Sequence, residues 1–230
     1  LAYLEGLDDR PVAATSTLAE LRARLSLPVP DAGMDPQQVV DELVAGTAGG
    51  ILGSAGGRFF GWVIGGSVPA ALAADWLTST WDQNAALYSC GPAVAVIEEV
   101  CGRWLKALLG LPKQAGFALV TGTQAAHLTC LCAARHAILG ARGWDVERQG
   151  LAGAPRIRII SGGERHGSIE RAVRLLGLGS DSVVDLPVDD QGRVQGKALE
   201  SALQSASDSA TIVILQAGDL SIGAFDPFSE

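Results

Sequence analysis

The chain has 230 residues, of which 48% are hydrophobic and 18% charged, and its 25 acidic against 17 basic side chains give a net charge of −8. That length and apolar content bury a real core, as one large domain or as one domain plus an appendage, and exclude disorder over most of the sequence. The acidic balance offers no footprint for a phosphate backbone, and no apolar run reaches the roughly 18–20 residues of a membrane span, so neither nucleic acid nor membrane is expected as a partner.

The first residues, LAYLEGLDDRP, carry acids where a secretory leader carries a basic region, and there is no initiator Met. They point to a cytoplasmic protein and to a chain cut from something longer. The four cysteines, Cys90, Cys101, Cys130 and Cys132, form no CxxC. Cys130 and Cys132 diverge if they lie two apart on a helix, so buried, reduced thiols are expected and no metal site.

In chain order, Thr17 and Glu20 have capping-box spacing ahead of LRARL, and Asp35-Pro36 opens a helix through QQVVDELVAG. Residues 49–69, GGILGSAGGRFFGWVIGGSVP, are too rich in glycine for a helix or central strand and too apolar for a linker. They predict a buried or pocket-lining loop. Helices follow at about 69–79 and 92–110, the second with Val94, Ile97, Val100, Cys101, Trp104, Leu105 and Leu108 at helical spacing. From residue 117 strands alternate with helices: FALVT (117–121), RIRIISG (156–162), SVVDLPV (182–188) and TIVILQAG (211–218), with helices at 124–139, 167–177 and 196–206. This alternation predicts an α/β domain built on a mostly parallel sheet, whose ligands sit at the carboxyl ends of the strands. Residues 1–85 are read as an N-terminal helical segment and 86–230 as the α/β part.

Three turns fall at that edge. Thr121-Gly122-Thr123-Gln124 is either an ordinary helix cap or a cradle in which the free N–H groups of a first turn hold an anion. It is neither a Walker loop nor a GxGxxG fingerprint, which counts against a nicotinamide-binding enzyme. His166, in SGGERHGSIERA, is either a cap or an imidazole lying flat against an aromatic ligand. His127 and His136 fall inside a helix, packed or facing solvent. QAGDLSIGAFDPFSE (216–230) is either a plain turn or a source of polar groups, Asp219 among them. Gathered by one sheet, the three suit a flat, phosphorylated heteroaromatic cofactor.

The segments RFFGWVIGGSVPAALAADWLTSTWDQNA (58–85), VTGTQAAHLTCLCAARHA (120–137), SGGERHGSIERAVRLLGLG (161–179), VDDQGRV (188–194) and QAGDLSIGAFDPF (216–228) occur here in an order that resembles the group II pyridoxal-phosphate-dependent decarboxylases. The resemblance covers nearly the whole chain. It implies the large domain of a fold-type I (aspartate aminotransferase-like) enzyme, incomplete here, with pyridoxal 5′-phosphate as cofactor, an L-amino acid as substrate and a homodimer as the assembly. Thr123 and Gln124 match the residues that hold the cofactor phosphate, and His166 matches the histidine stacked on the ring. Asp219 stands where the family has a polar residue beside the cofactor, often Thr. Arg58, Phe59, Phe60 and Trp62 match the loop at the substrate mouth. His127 replaces a usual Asn, and Ser221-Ile222 a commoner Asn-Thr.

The lysine that holds the cofactor covalently and the aspartate that pairs with its ring nitrogen match no residue here. Lys106, Lys113 and Lys197 lie elsewhere, so the 230 residues alone are expected not to decarboxylate. Competing expectations are another fold-type I enzyme (an aminotransferase or a desulfurase) and a non-catalytic dimerisation or binding scaffold.

Overall fold

The computed structural model describes residues 2–205 and 209–228. The chain forms two compact units, Leu1–Asn84 and Ala85–Glu230.

In the first unit the described helices are α1 (Ala2–Glu5), α2 (Leu18–Leu25), α3 (Pro36–Gly46) and α4 (Pro69–Trp81). The capping box is present: the Thr17 side chain accepts from the Glu20 N–H, and the Glu20 carboxylate accepts from the Thr17 N–H at 2.7 Å. Asp35 caps α3 by accepting from the N–H groups of Gln37 and Gln38, with Pro36 in the first turn. α2 packs on α3 closely enough that a Cβ at Gly46 would fall 2.6 Å from Leu25.

Residues 49–69 form no helix or strand before Pro69, as their glycine content predicts. Apart from Gly53 they are not buried, however. Phe60 is 92% exposed and Trp62 72%. Glycines supply no side chains to cover these rings, and the loop is anchored by backbone contacts such as Gly53 N–H to Val12 O.

The second unit contains α5 (Pro92–Leu108), α6 (Gly122–Gly140), α7 (Val146–Gln149), β1 (Ile157–Gly162), α8 (Gly167–Leu175), β2 (Val183–Leu186), α9 (Gly196–Gln204) and β3 (Ala210–Ile214). The sheet is entirely parallel in the order β2-β1-β3, with Ile159 opposite Val183 and Ile157 opposite Ala210. Strand alternation splits the core between the two faces. Ile157 and Ile159 pack with Leu131 and Leu139 of α6 and Ile169, Ala172 and Val173 of α8. Ile160 faces the other way, with Leu186, Val194 and the α9 residues Leu199 and Ala202. The result is a helix–sheet–helix sandwich around β1, whose residues are buried apart from half-buried Arg158.

The strand expected at 117–121 does not form. Apolar composition makes a strand only where a neighbouring strand accepts its hydrogen bonds, and the described sheet ends at β3 on that side. Phe117 packs on α5 instead, so tightly that a Cβ at Gly102 would overlap its ring. The thiols also depart from expectation. All four are free, but Cys90, Cys130 and Cys132 are exposed and Cys101 is half-buried. The α6 face that carries Cys130 is not the one turned to the sheet.

Candidate functional site at the carboxyl edge of the sheet

α6 begins at Gly122 with φ +77°, a backbone setting that glycine reaches without strain. The N–H groups of Thr123 and Gln124, in the first turn, have no intrahelical acceptor, and the cap residue Thr121 makes no side-chain capping bond to them. Nothing lies within 4 Å of where a Cβ on Gly122 would point. The space beside this first residue of the helix is therefore open.

β1 leaves the sheet at Gly162, and four residues later His166 caps α8. Its Nδ1 accepts from the Ser168 N–H at 3.2 Å and lies 2.6 Å from the Ser168 Oγ. Ser168 is also the meeting point with α6. The Gln124 Nε2 donates to the Ser168 carbonyl at 3.1 Å, and the His127 Nδ1 lies 2.7 Å from the Ser168 Oγ. Two turns separated by some forty residues of chain are thus joined through one buried serine. Gln124 Oε1 is shielded from solvent and has no hydrogen-bond partner. Desolvation by burial, and then the nearby His166, hold the His127 imidazole below its ordinary pKa.

Asp219 follows β3. Its Oδ1 accepts from the N–H groups of Ser221 and Ile222, and its carbonyl accepts from Gly223, so one carboxylate oxygen is spent in folding the turn. Asp226 closes the same loop from inside. It is 8% exposed, accepts from Val194 N–H at 2.8 Å through Oδ1 and from Gln216 N–H at 2.7 Å through Oδ2. It thereby ties the segment after β2 to the segment after β3. A cavity beside Asp226, lined also by Gly162, Arg165 and Gly192, measures about 10 Å³, room for one water rather than a ring.

Of the residues singled out in the sequence, Thr123, Gln124 and His166 are drawn to one place, and Asp219 shares the sheet edge with them. Arg58, Phe59, Phe60 and Trp62 lie in the first unit, where the Arg58 guanidinium donates to the Arg10 carbonyl at 2.6 Å and Trp62 adopts φ +62°. Ser168 and Asp226 were not anticipated. A serine two residues after a capping histidine, and an aspartate between Phe and Pro after a glycine turn, are the signals they left. Lys106 is engaged elsewhere, donating to the carbonyls of Lys113 and Ala115. Among the described residues no group of three His, Cys, Asp or Glu side chains is placed to hold a metal, and no helix is long and apolar enough to cross a membrane.

Solved structures share this architecture. The apo form of mouse CSAD is 25% identical, with a TM-score of 0.82 over 96% of this chain and 46% of that one. Oryza sativa TDC with PLP is 23% identical, with a TM-score of 0.86 over 98% of this chain and 50% of that one. The glutamate decarboxylase domain of diaminobutyrate-pyruvate transaminase and L-2,4-diaminobutyrate decarboxylase from Vibrio parahaemolyticus is 17% identical, with a TM-score of 0.83 over 98% and 51%. The chain spans about half the length of the chains it matches. The fold is that of the large domain of fold-type I pyridoxal enzymes. The description "Pyridoxal-dependent decarboxylase conserved domain" matches residues 19–230, and the chain belongs to that family.

Proposed function

We propose that this chain supplies the phosphate-holding and ring-facing half of a pyridoxal 5′-phosphate-dependent carboxy-lyase that acts on an L-amino acid. The observation that carries the proposal is the joining of Gln124 and His166 through Ser168, which brings the open first turn of α6 and an exposed imidazole to the same sheet edge. These residues fit the cofactor. The N–H groups of Thr123 and Gln124, the Thr123 hydroxyl and the helix dipole suit a phosphate dianion. His166 presents a ring whose orientation its cap bond fixes. The orphaned Gln124 Oε1 offers an acceptor to a bound group or its water.

When bound, pyridoxal phosphate supplies the electron sink for loss of CO₂ from an amino acid; the protein contributes position and electrostatics. In that division of labour Thr123 and Gln124 anchor the phosphate. His166 would cover the ring, and its Nε2 would be the nitrogen free to hold a proton toward the reacting group. Asp219 keeps the loop after β3 in place with Oδ1, and its second oxygen would be the group available to the cofactor. We assign Arg58, Phe59, Phe60 and Trp62 to the substrate mouth, a role supported by two large aromatic side chains left uncovered between glycines. Lys106, bonded to two carbonyls, is not proposed as the covalent anchor. The working assembly is proposed as a cytoplasmic homodimer.

The test is a fluorescence titration of the full chain with pyridoxal 5′-phosphate and, separately, with pyridoxal. Strong preference for the phosphorylated form, reduced by Gly122→Ala and by Thr123→Ala, supports the cradle. Equal weak binding of both forms refutes it. Release of CO₂ from L-amino acids by the complete protein tests the reaction, and keto-acid formation in its place favours an aminotransferase.

A further inference from the structure

Two imidazole nitrogens are aimed at one hydroxyl. His127 Nδ1 stands 2.7 Å and His166 Nδ1 2.6 Å from the Ser168 Oγ. A hydroxyl has one proton to give, so the two contacts cannot both be donations from serine. The backbone decides between the remaining arrangements. His166 Nδ1 accepts the Ser168 N–H as the cap of α8, so that nitrogen carries no proton and its own proton sits on Nε2. That nitrogen has one lone pair, which the Ser168 N–H at 3.2 Å and the serine O–H at 2.6 Å then share as a bifurcated contact, and the serine oxygen is left as an acceptor toward α6. His127 must fill that role as a donor, with its proton on Nδ1.

The opposite chain, running from His166 through serine to His127, would set an N–H of His166 against the Ser168 N–H and abolish the cap. Ser168 is 2% exposed, so bulk water does not offer an alternative partner for its hydroxyl.

We propose that His127 is a positioning residue. Acting through Ser168, it fixes the hydroxyl that seats the His166 ring and leaves Nε2–H as the outward donor of that imidazole. The two histidines are therefore held in opposite tautomers. The hydrogen-bond order stands on this chain's own atoms, whereas its use in holding a cofactor rests on the function proposed above.

Long-range ¹⁵N–¹H correlation spectra of the full chain, labelled at histidine, read the proton on each ring nitrogen. The chain has three histidines, so single substitutions assign every signal. His127 is expected with its proton on Nδ1 and His166 with its proton on Nε2. In Ser168→Ala the backbone cap persists and His166 keeps its tautomer, while His127 loses its acceptor and shifts its proton toward Nε2. His127 found with its proton on Nε2 in the unsubstituted chain overturns the proposal. So does a His127 spectrum that Ser168→Ala leaves unchanged, and if that variant does not fold, the unsubstituted spectrum decides alone.

The positioning role is read from cofactor affinity. His127→Asn, whose amide N–H can donate to the serine, should retain it, and His127→Leu should weaken it roughly fivefold, the worth of one hydrogen bond. Equal affinity in the leucine variant refutes the positioning role. Failure of the unsubstituted chain to bind pyridoxal phosphate would sink the function proposed above and leave the tautomer result standing.

Discussion

Asp226 shows how one side chain can hold a site it never touches. Both of its oxygens accept backbone N–H groups, one from each of two loops, in a setting with little solvent. Asp226→Asn keeps the shape but turns an amide N–H₂ toward one of those donors. Bonds to a charged acceptor are worth about 1.5–3 kcal/mol, so this variant should lose about 2 kcal/mol in urea unfolding of the full chain. His127 gives a second prediction at this scale. Its pKa in the fold lies below the ordinary value of 6.5, because burial and the neighbouring His166 disfavour its charged form. The unfolded chain therefore binds more protons between those two values, and stability must rise with pH across that window. The contribution is complete above about pH 6.5 and is lost as pH falls through the lower, folded value. Urea midpoints measured from pH 7.5 down to 5 should fall more steeply for the unsubstituted chain than for His127→Asn; parallel curves would contradict the assignment.

Helices that carry their own start signals were legible at the level of the element. Thr17 with Glu20, and Asp35 with Pro36, name α2 and α3 because capping is local chemistry between neighbours. Thr17→Ala should cost about 1 kcal/mol of stability, and thermal melts of the full chain will show it. β1, β2 and β3 were legible too, since buried parallel strands are short apolar runs between helices. FALVT has the same composition, but composition is silent on whether a partner strand stands beside it, and here Phe117 found α5 instead. The site was readable in part for the same reason. A glycine turn before a helix and a histidine after a strand are local signals. The bond from Gln124 to the Ser168 carbonyl and the two loops clamped by Asp226 join distant residues, which no local pattern records. Gly102 carries such a contact: a methyl group there meets the Phe117 ring. Gly102→Ala is therefore expected to destabilise by about 1–3 kcal/mol despite its better helix propensity.

The surface of the whole molecule bears on the proposed assembly. α5 has the apolar spacing of a core helix, yet Ile97 and Trp104 are largely exposed and Leu108 is 81% exposed. Within the first unit, Trp76 and Trp81 of α4 are likewise uncovered, and no α4 residue is buried. Large apolar side chains left uncovered along one helix are more common where another chain docks than on soluble monomers. The apolar spacing on α5 predicts burial against something, and the proposed homodimer supplies a second copy. Sedimentation equilibrium of the full chain should then show a dimer at micromolar concentration. Leu108→Glu together with Trp104→Glu places charges in a desolvated contact and should shift the species to monomer, while far-ultraviolet circular dichroism keeps its helical signal because neither side chain is in the core of its own unit. A monomer in both cases would remove the homodimer from the proposal. A dimer in both would place the interface away from this face of α5.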